Sequence, residues 1–136
     1  MAVLERKLDH LQELLALLRA ESSTPLEAFL LDRRQQLMEE HLLHLSVEAA
    51  SDLLEHLLVQ TTNQRPQTYA ETFQKAGALG LIPTELANRL VPAAGLRNRL
   101  VHDYEAIDPR RVHAAIGMAL RDLEELRATL AARLAI

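Results

Sequence analysis

The chain has 136 residues, of which 49% are hydrophobic and 25% charged, and its formal net charge is −4. This length is typical of one domain, and the absence of cysteine excludes disulfides, thiolate metal sites and cysteine nucleophiles. The acidic balance argues against a general nucleic-acid-binding coat, because nonspecific phosphate binding requires clustered lysine and arginine.

Strong helix formers dominate the composition, whereas glycine numbers only 4 and aromatic residues make up 3%. We therefore predict an all-α fold, an antiparallel bundle of about five helices formed by residues 1–136 as one domain. No segment has the ~20 consecutive apolar residues of a membrane span, and residues 1–10 lack the pattern of a secretory signal. We expect a protein of the cytoplasm with no membrane partner.

The first half of the chain contains two helical patterns. Leucines spaced three and four apart predict an amphipathic helix over 3–20. Thr24 is predicted to cap the next helix, with Pro25 in its first turn. The pattern then continues to about residue 60, which is long for one helix, and a bend or break near Leu31 and Asp32 is an open alternative.

The second half contains three further helices. A short helix is predicted over about 68–77, and the next begins near Thr84. Pro92 and Gly95 lie inside that helix and predict a kink or a local irregularity. Asp108 followed by Pro109 is a typical helix start, and an apolar stripe continues from there to the end of the chain.

A row of polar residues recurs every fourth position in the long helix: His44, Glu48, Asp52 and His56. A metal site is conceivable, but neither HExxH nor a paired Glu-x-x-His arrangement is present. We favour a solvated or subunit-facing stripe, with a supporting role for Asp52 as a minor alternative. The remaining histidines singled out are predicted to lie at the surface: His10, His41 and His113.

Arg97 and His102 are the residues best suited to chemistry. Histidine titrates near neutral pH, and the arginine fork fits a phosphate, so together they provide a minimal set for phosphodiester cleavage. RNA supplies its own nucleophile, the 2′-hydroxyl. His102 would act as base or acid, and Arg97 would neutralise the charge that grows on the phosphoryl oxygens.

Helical geometry separates these two residues. At about 100° per residue, positions 97 and 102 lie about 140° apart around an ideal helix. Either Arg97 reaches around the helix, or the helix is distorted near Gly95, or two copies of the chain assemble the site. We favour the last alternative, because one histidine and one arginine on a single helix form only half a cleft.

Arginine residues are also concentrated in this region. Five lie within 23 positions, and they are compatible either with a local basic patch or with scattered solvated side chains: Arg89, Arg97, Arg99, Arg110 and Arg111.

The segment 97–104, RNRLVHDY, followed by EAID, resembles the Arg-x4-His-x-Tyr motif of HepT-like toxins in the HEPN superfamily. The residues GLRN at 95–98 and those at 49–58 are also similar to that family, and the resemblance covers nearly the whole chain. Pro92 does not match the usual pattern.

The resemblance implies a metal-independent endoribonuclease without cofactors, which acts as a homodimer or higher oligomer on RNA. Arg97 and His102 correspond to the catalytic pair, and Asn98 to a polar residue that orients the histidine or a phosphate. Tyr104 corresponds to the tyrosine to which a minimal nucleotidyltransferase antitoxin attaches AMP. The bulky anion would block RNA.

Two other functions are compatible with the sequence. One is a catalytically silent helical module that partners a nucleotidyltransferase, and the other is a purely structural helical dimer. Without the resemblance, His102 would be read as a histidine satisfied by a nearby carboxylate, Arg97 as an ion-pair partner, and Tyr104 as a half-buried aromatic residue. The presence of both Arg97 and His102 favours catalysis.

Overall fold

The computed structural model describes residues 2–63, 65–102 and 107–135. Within these ranges all regular secondary structure is α-helical, which confirms the predicted all-α class. The helices are α1 (Ala2–Ser22), α2 (Leu26–Leu31), α3 (Arg33–Leu58), α4 (Tyr69–Ala78), α5 (Thr84–His102) and α6 (Pro109–Leu134).

A break at Asp32 explains why the described part of the chain has six helices rather than about five. Asp32 has an extended backbone, with φ −124° and ψ 99°, and its carboxylate accepts a hydrogen bond of 3.1 Å from the Gln35 N–H. This side chain caps the first turn of α3, which otherwise has unsatisfied N–H groups. The alternative of a break near this position is confirmed.

The predicted cap at Thr24 is wrong. The Thr24 hydroxyl donates a hydrogen bond of 2.8 Å back to the Glu21 carbonyl, so it closes the end of α1. Pro25 occupies the cap position of α2, which has no side-chain hydrogen bond. The hydroxyl therefore satisfies a carbonyl of the preceding helix instead of an N–H of the following one.

Helix α5 runs through Pro92 and Gly95 without interruption, so any irregularity at these residues does not divide the helix. Both residues are exposed. Pro92 has no N–H to donate to the Asn88 carbonyl, but at an exposed position water can satisfy that carbonyl. The helix therefore continues as far as His102, which fixes how residues 97–102 are arranged around α5.

The core is formed mainly by leucine and alanine, with Phe29 and Phe73 as its largest fully buried side chains. Helix α1 packs against α3 and α6. Lys7 contacts Asp52, and Gln35 donates to Glu21, so α1 and α3 run in opposite directions. The helices thus form an antiparallel bundle in which α3 contacts each of the other five.

Helices α4 and α5 form a closely packed hairpin. A Cβ atom placed on Gly77 would lie 2.5 Å from the Ala87 Cβ, so only glycine permits this approach. At the other end of the hairpin, Tyr69 of α4 lies against Arg97 of α5. The close packing at Gly77 therefore helps to place an aromatic ring beside the motif.

None of the helices in the described ranges combines the length and apolar character that a membrane span requires.

Candidate functional site

Arg97 is held by side chains from three helices. Its Nε–H donates a hydrogen bond of 2.8 Å to Nδ1 of His44 on α3, and its Nη1 donates one of 3.1 Å to the amide oxygen of Asn98. Its guanidinium carbon lies 4.9 Å from the centroid of the Tyr69 ring on α4, which is a cation–π distance. The guanidinium group is therefore half-buried and oriented before any ligand binds.

His44 is the structural partner of Arg97. Burial lowers its pKa from the ordinary value, and the positive charge of Arg97 and the neighbouring His41 lower it further. Glu48 has the opposite effect, with its Oε2 3.6 Å from Nε2 of His44. The ring is therefore neutral at pH 7. Because Nδ1 accepts from Arg97, the ring proton lies on Nε2 and faces Glu48.

Asn98 and His102 lie at the exposed side of the site. Asn98 is exposed and turns its amide oxygen toward Arg97. His102 is the last residue of α5 and is also exposed. The structure thus brings Arg97 together with Asn98, whereas His102 leaves the same helix about 140° away. Ideal helix geometry therefore separates the two predicted catalytic residues around α5.

Tyr104 lies in the segment 103–106, outside the described residues. Helix α5 ends before this segment, and α6 begins after it. Asp108 accepts a hydrogen bond of 3.0 Å from the Arg110 N–H and caps α6, with Pro109 in its first turn, so this predicted helix start is confirmed. Ile107 packs against the core.

The polar row on α3 does not act as one unit. His44 binds Arg97, while Asp52 pairs with Lys7 of α1. His56 is half-buried beside a cavity of about 310 Å³ that Asp52 and Arg65 also line. In the part of the chain that the structure describes, no three His, Asp or Glu side chains are arranged to hold a metal ion. Of the two predicted alternatives, a solvated stripe is wrong for His44, and a subunit-facing stripe stays a prediction.

His44, the partner of Arg97, was not among the predicted site residues. The four-residue spacing from Glu48 was a visible signal that one histidine of the row has a carboxylate neighbour. The sequence does not reveal which turn of α3 faces α5, so the contact with Arg97 required the structure.

The other histidines differ in their environments. His10 and His41 are exposed, as predicted. His113 is half-buried, and the surface prediction is wrong for it. Its Nε2 lies 3.0 Å from the Thr24 carbonyl oxygen, and its ring meets Phe29 edge-on with centroids 5.0 Å apart.

Of the two alternatives for the five arginines, a local basic patch would not include Arg89. This side chain bonds to both Asp122 and Glu125 of α6, at 2.8 to 3.0 Å, so acidic groups compensate its charge. It borders a groove of about 680 Å³ between α5 and α6 that does not include Arg97 or His102. The remaining arginines of the set are exposed: Arg99, Arg110 and Arg111.

The arrangement of Arg97 and His102 on α5 can be compared with known proteins. A family model described as ribonuclease HepT-like matches residues 4–130. The chain belongs to the HepT-like ribonuclease family. Within this family, it is 38% identical over 116 residues to the tRNA nuclease HepT of Aphanizomenon flos-aquae (strain 2012/KM1/D3), covering 85% of this chain and 74% of that protein.

Solved structures share the fold of this HepT-like chain. One is a tri-AMPylated Shewanella oneidensis HEPN toxin in complex with MNT antitoxin, with a TM-score of 0.86 and 23% identity over 97% of this chain and 98% of that one. Another is a toxin–antitoxin with AMP-PNP, with a TM-score of 0.86 and 22% identity over 97% and 99% of the two chains. At these identities, the likeness concerns the fold.

Proposed function

We propose that this protein is the toxin of a toxin–antitoxin pair and a metal-independent endoribonuclease that cleaves RNA by attack of the 2′-hydroxyl. Its family supports ribonuclease activity, and the relative named a tRNA nuclease makes tRNA the first substrate to test. The observation that carries the proposal is the preorganised Arg97 on the same helix as an exposed His102.

The reaction assigns one role to each residue. His102 takes the proton of the 2′-hydroxyl, whose oxygen attacks the adjacent phosphorus, and the bond from phosphorus to the 5′-oxygen breaks. The 5′-oxygen gains a proton, so the products are a 2′,3′-cyclic phosphate and a 5′-hydroxyl. Arg97 stabilises the charge on the phosphoryl oxygens, and Asn98 holds its Nη1.

The cleft is proposed to form between two copies of the chain. Arg97 faces α3 and α4, whereas His102 projects from another side of α5. A homodimer brings the motif of each copy opposite that of the other, so that a phosphate between them meets both residue types. Higher oligomers of such dimers are compatible with this arrangement.

Control by a minimal nucleotidyltransferase antitoxin is the second part of the proposal. The antitoxin transfers AMP from ATP to the Tyr104 hydroxyl: the oxygen bonds to the α-phosphorus, pyrophosphate leaves and the hydroxyl proton is released. A likeness in fold to an AMPylated toxin supports this assignment. The added anion near the motif repels the phosphates of RNA and occupies their space.

The deciding experiment incubates the purified protein with total tRNA in excess EDTA and identifies the product ends. The wild type is expected to yield 2′,3′-cyclic phosphates. His102→Ala should yield none while its thermal unfolding stays nearly unchanged, because His102 is exposed. Arg97→Ala should lose about two to three decades in rate, as for the loss of one oxyanion donor.

Equal cleavage by the wild type and His102→Ala would overturn the catalytic assignment. No cleavage by either protein would favour the silent binding module. Activity that disappears in EDTA and returns with a divalent cation would overturn metal independence alone.

A further inference from the structure

We infer that His44 is a positioning residue of this ribonuclease, whose Nδ1 holds Arg97 ready for a phosphate and whose protonation releases Arg97. The inference rests on the proposed function, since it concerns the residue assigned to stabilise the phosphoryl oxygens. It begins from the 2.8 Å hydrogen bond that joins α3 to α5 inside the site.

The contacts of Arg97 fix which edge of its guanidinium group meets the substrate. His44 binds Nε, Asn98 binds Nη1, and Tyr69 covers one face of the group. Among the described residues, Nη2 has no hydrogen-bond partner. An arginine fixed at Nε and over an aromatic ring loses most of its rotational freedom, so Nη2 is directed at one place before RNA binds.

The His44 hydrogen bond exists only while the ring is neutral. A protonated ring carries N–H groups on both nitrogens, and Nδ1 then has no lone pair to accept the Arg97 Nε–H. Two cations would also face each other at 2.8 Å in a half-buried site. Acid therefore breaks the contact through both the lost acceptor and the new repulsion.

The charged and titratable groups around His44 come from all three helices of the site. Arg97 of α5 and His41 of α3, whose ring centroid lies 6.0 Å away, oppose protonation. Glu48 of α3 favours it, but its side chain is 56% exposed and solvent weakens its effect. Tyr69 of α4 covers Arg97 with its ring. Burial and the neighbouring cation outweigh Glu48, so the pKa of His44 lies below its ordinary value.

A pH dependence follows from these charges. The His44 pKa lies below its ordinary value, so Arg97 stays in place at pH 7 and is released as the pH falls through the lowered pKa. Since His102 must also be unprotonated to act as a base, protonation of either histidine stops cleavage. The acid limb of the rate profile should then contain two ionisations, one of which belongs to His44.

The kinetic test compares His44→Asn with His44→Leu. The Asn Oδ1 occupies nearly the same position as Nδ1 of His44 and accepts the Arg97 N–H, but it does not titrate. His44→Asn should therefore remain active and lose one ionisation from the acid limb. His44→Leu fills the space without an acceptor, and its kcat should fall by about 10- to 100-fold, more than its KM rises.

His41→Leu is the matched control, because His41 lies one turn earlier on α3, is exposed, and has no hydrogen bond to Arg97 among the described contacts. Its cleavage rate at pH 8, on the alkaline side of the His44 ionisation, should equal that of the wild type. Equal rates for His44→Leu and the wild type would overturn the positioning role, as would an unchanged acid limb in His44→Asn.

A measurement that needs no RNA separates this inference from the proposed function. Nitrogen-15 NMR of the full chain should find the neutral His44 ring protonated at Nε2, with a pKa below 6.5 that rises in Arg97→Gln, where the neighbouring cation is removed. An Nδ1-protonated ring, or a pKa insensitive to Arg97→Gln, would overturn the inference even if the protein cleaves RNA. The expected spectra with no cleavage would instead refute the function and leave the contact established.

Discussion

Glu39 is a fully buried carboxyl group with one hydrogen bond. Its Oε2 accepts a bond of 2.9 Å from Gln35, while Oε1 has no hydrogen-bond partner. Burial raises its pKa above the ordinary value, and Glu21 and Glu40 raise it further. The Gln35 hydrogen bond and His113 act in the opposite direction but do not outweigh burial. Such a group prefers to be protonated in the folded state.

Glu39→Gln is therefore expected to stabilise the protein at high pH. The folded state binds the Glu39 proton more tightly than the unfolded state. The contribution of Glu39 to the free energy of unfolding is therefore fully present below about pH 4.5, the ordinary pKa, and is lost as the pH rises through the raised pKa. Urea unfolding at pH 8 should show a gain of about 1 kcal/mol, the order of a tenfold change in proton affinity, because the amide cannot ionise in its buried position.

The pH dependence of unfolding in Glu39→Gln should be flatter than in the wild type, although Glu40, whose pKa burial also raises, retains part of it. The matched control is Glu55→Gln, an exposed position on the same helix, which should leave the profile unchanged. A Glu39→Gln variant that is less stable than the wild type at pH 8 would mean that the carboxylate makes a favourable interaction when ionised.

Tyr104→Phe should remain a ribonuclease but escape the antitoxin, because phenylalanine has no hydroxyl to accept AMP. Incubation with the nucleotidyltransferase and ATP should add the mass of AMP to the wild type and none to Tyr104→Phe. The matched control is Tyr69→Phe, which keeps the ring over Arg97 and should still gain AMP. AMP on the Tyr104→Phe variant would assign the modification to another residue.

The residues of the site differ in how far the sequence predicts them. Arg97, Asn98 and His102 lie within one short segment, so their spacing carried the resemblance to HepT-like toxins. His44 lies 53 positions away from Arg97, and its role depends on how α3 crosses α5. The sequence placed His44 on the right helix but could not give it a partner, since helical periodicity defines faces and not the neighbours of a face.

At the level of helices, Asp108 and Thr24 were both predicted to cap a helix start, and only Asp108 does so. Asp108 precedes a proline and caps α6 as expected. Thr24 precedes Pro25 in the same pattern, yet its hydroxyl bonds to Glu21 in the preceding helix. A hydroxyl can donate to a carbonyl of the preceding helix or accept from an N–H of the following one. The Asp108 carboxylate can only accept, so it can bond only to an N–H group.

The helical segments were correctly predicted to be helical, but the positions at which a helix is interrupted were predicted less well. Pro92 predicted an irregularity in α5, and Asp32 gave only a possible break in the long helical stretch. Tertiary packing decided both cases: α5 continues because its buried face is uninterrupted on either side of the exposed Pro92. The helical stretch is broken at Asp32, directly after α2, whose Phe29 side chain is buried. Local propensity is a weaker signal than burial of this kind.

At the level of the whole molecule, the proposed cleft requires surfaces that a second copy covers. Val101 lies one turn after Arg97 on α5 and is 47% exposed. Leu37 and Met38 lie one turn before His41 on α3 and are also exposed. Apolar side chains on both helices of the site are compatible with a dimer contact around the cleft.

Subunit mixing tests the composite cleft directly. The cleft of a dimer contains two copies of Arg97 and two of His102. If each catalytic pair takes Arg97 from one copy and His102 from the other, a dimer of one Arg97→Ala and one His102→Ala copy retains one intact pair, and its other pair lacks both residues.

Equal mixing of the two inactive variants, with differently tagged copies to verify exchange, should then restore about one quarter of the wild-type rate, since half of the dimers are mixed and each retains one of two pairs. If both residues act within the same copy, every pair lacks one of them and mixing restores nothing. Restored activity would therefore place the catalytic pair across the dimer, and verified exchange without activity would place it within one chain, with Arg97 moving away from His44 to reach the phosphate.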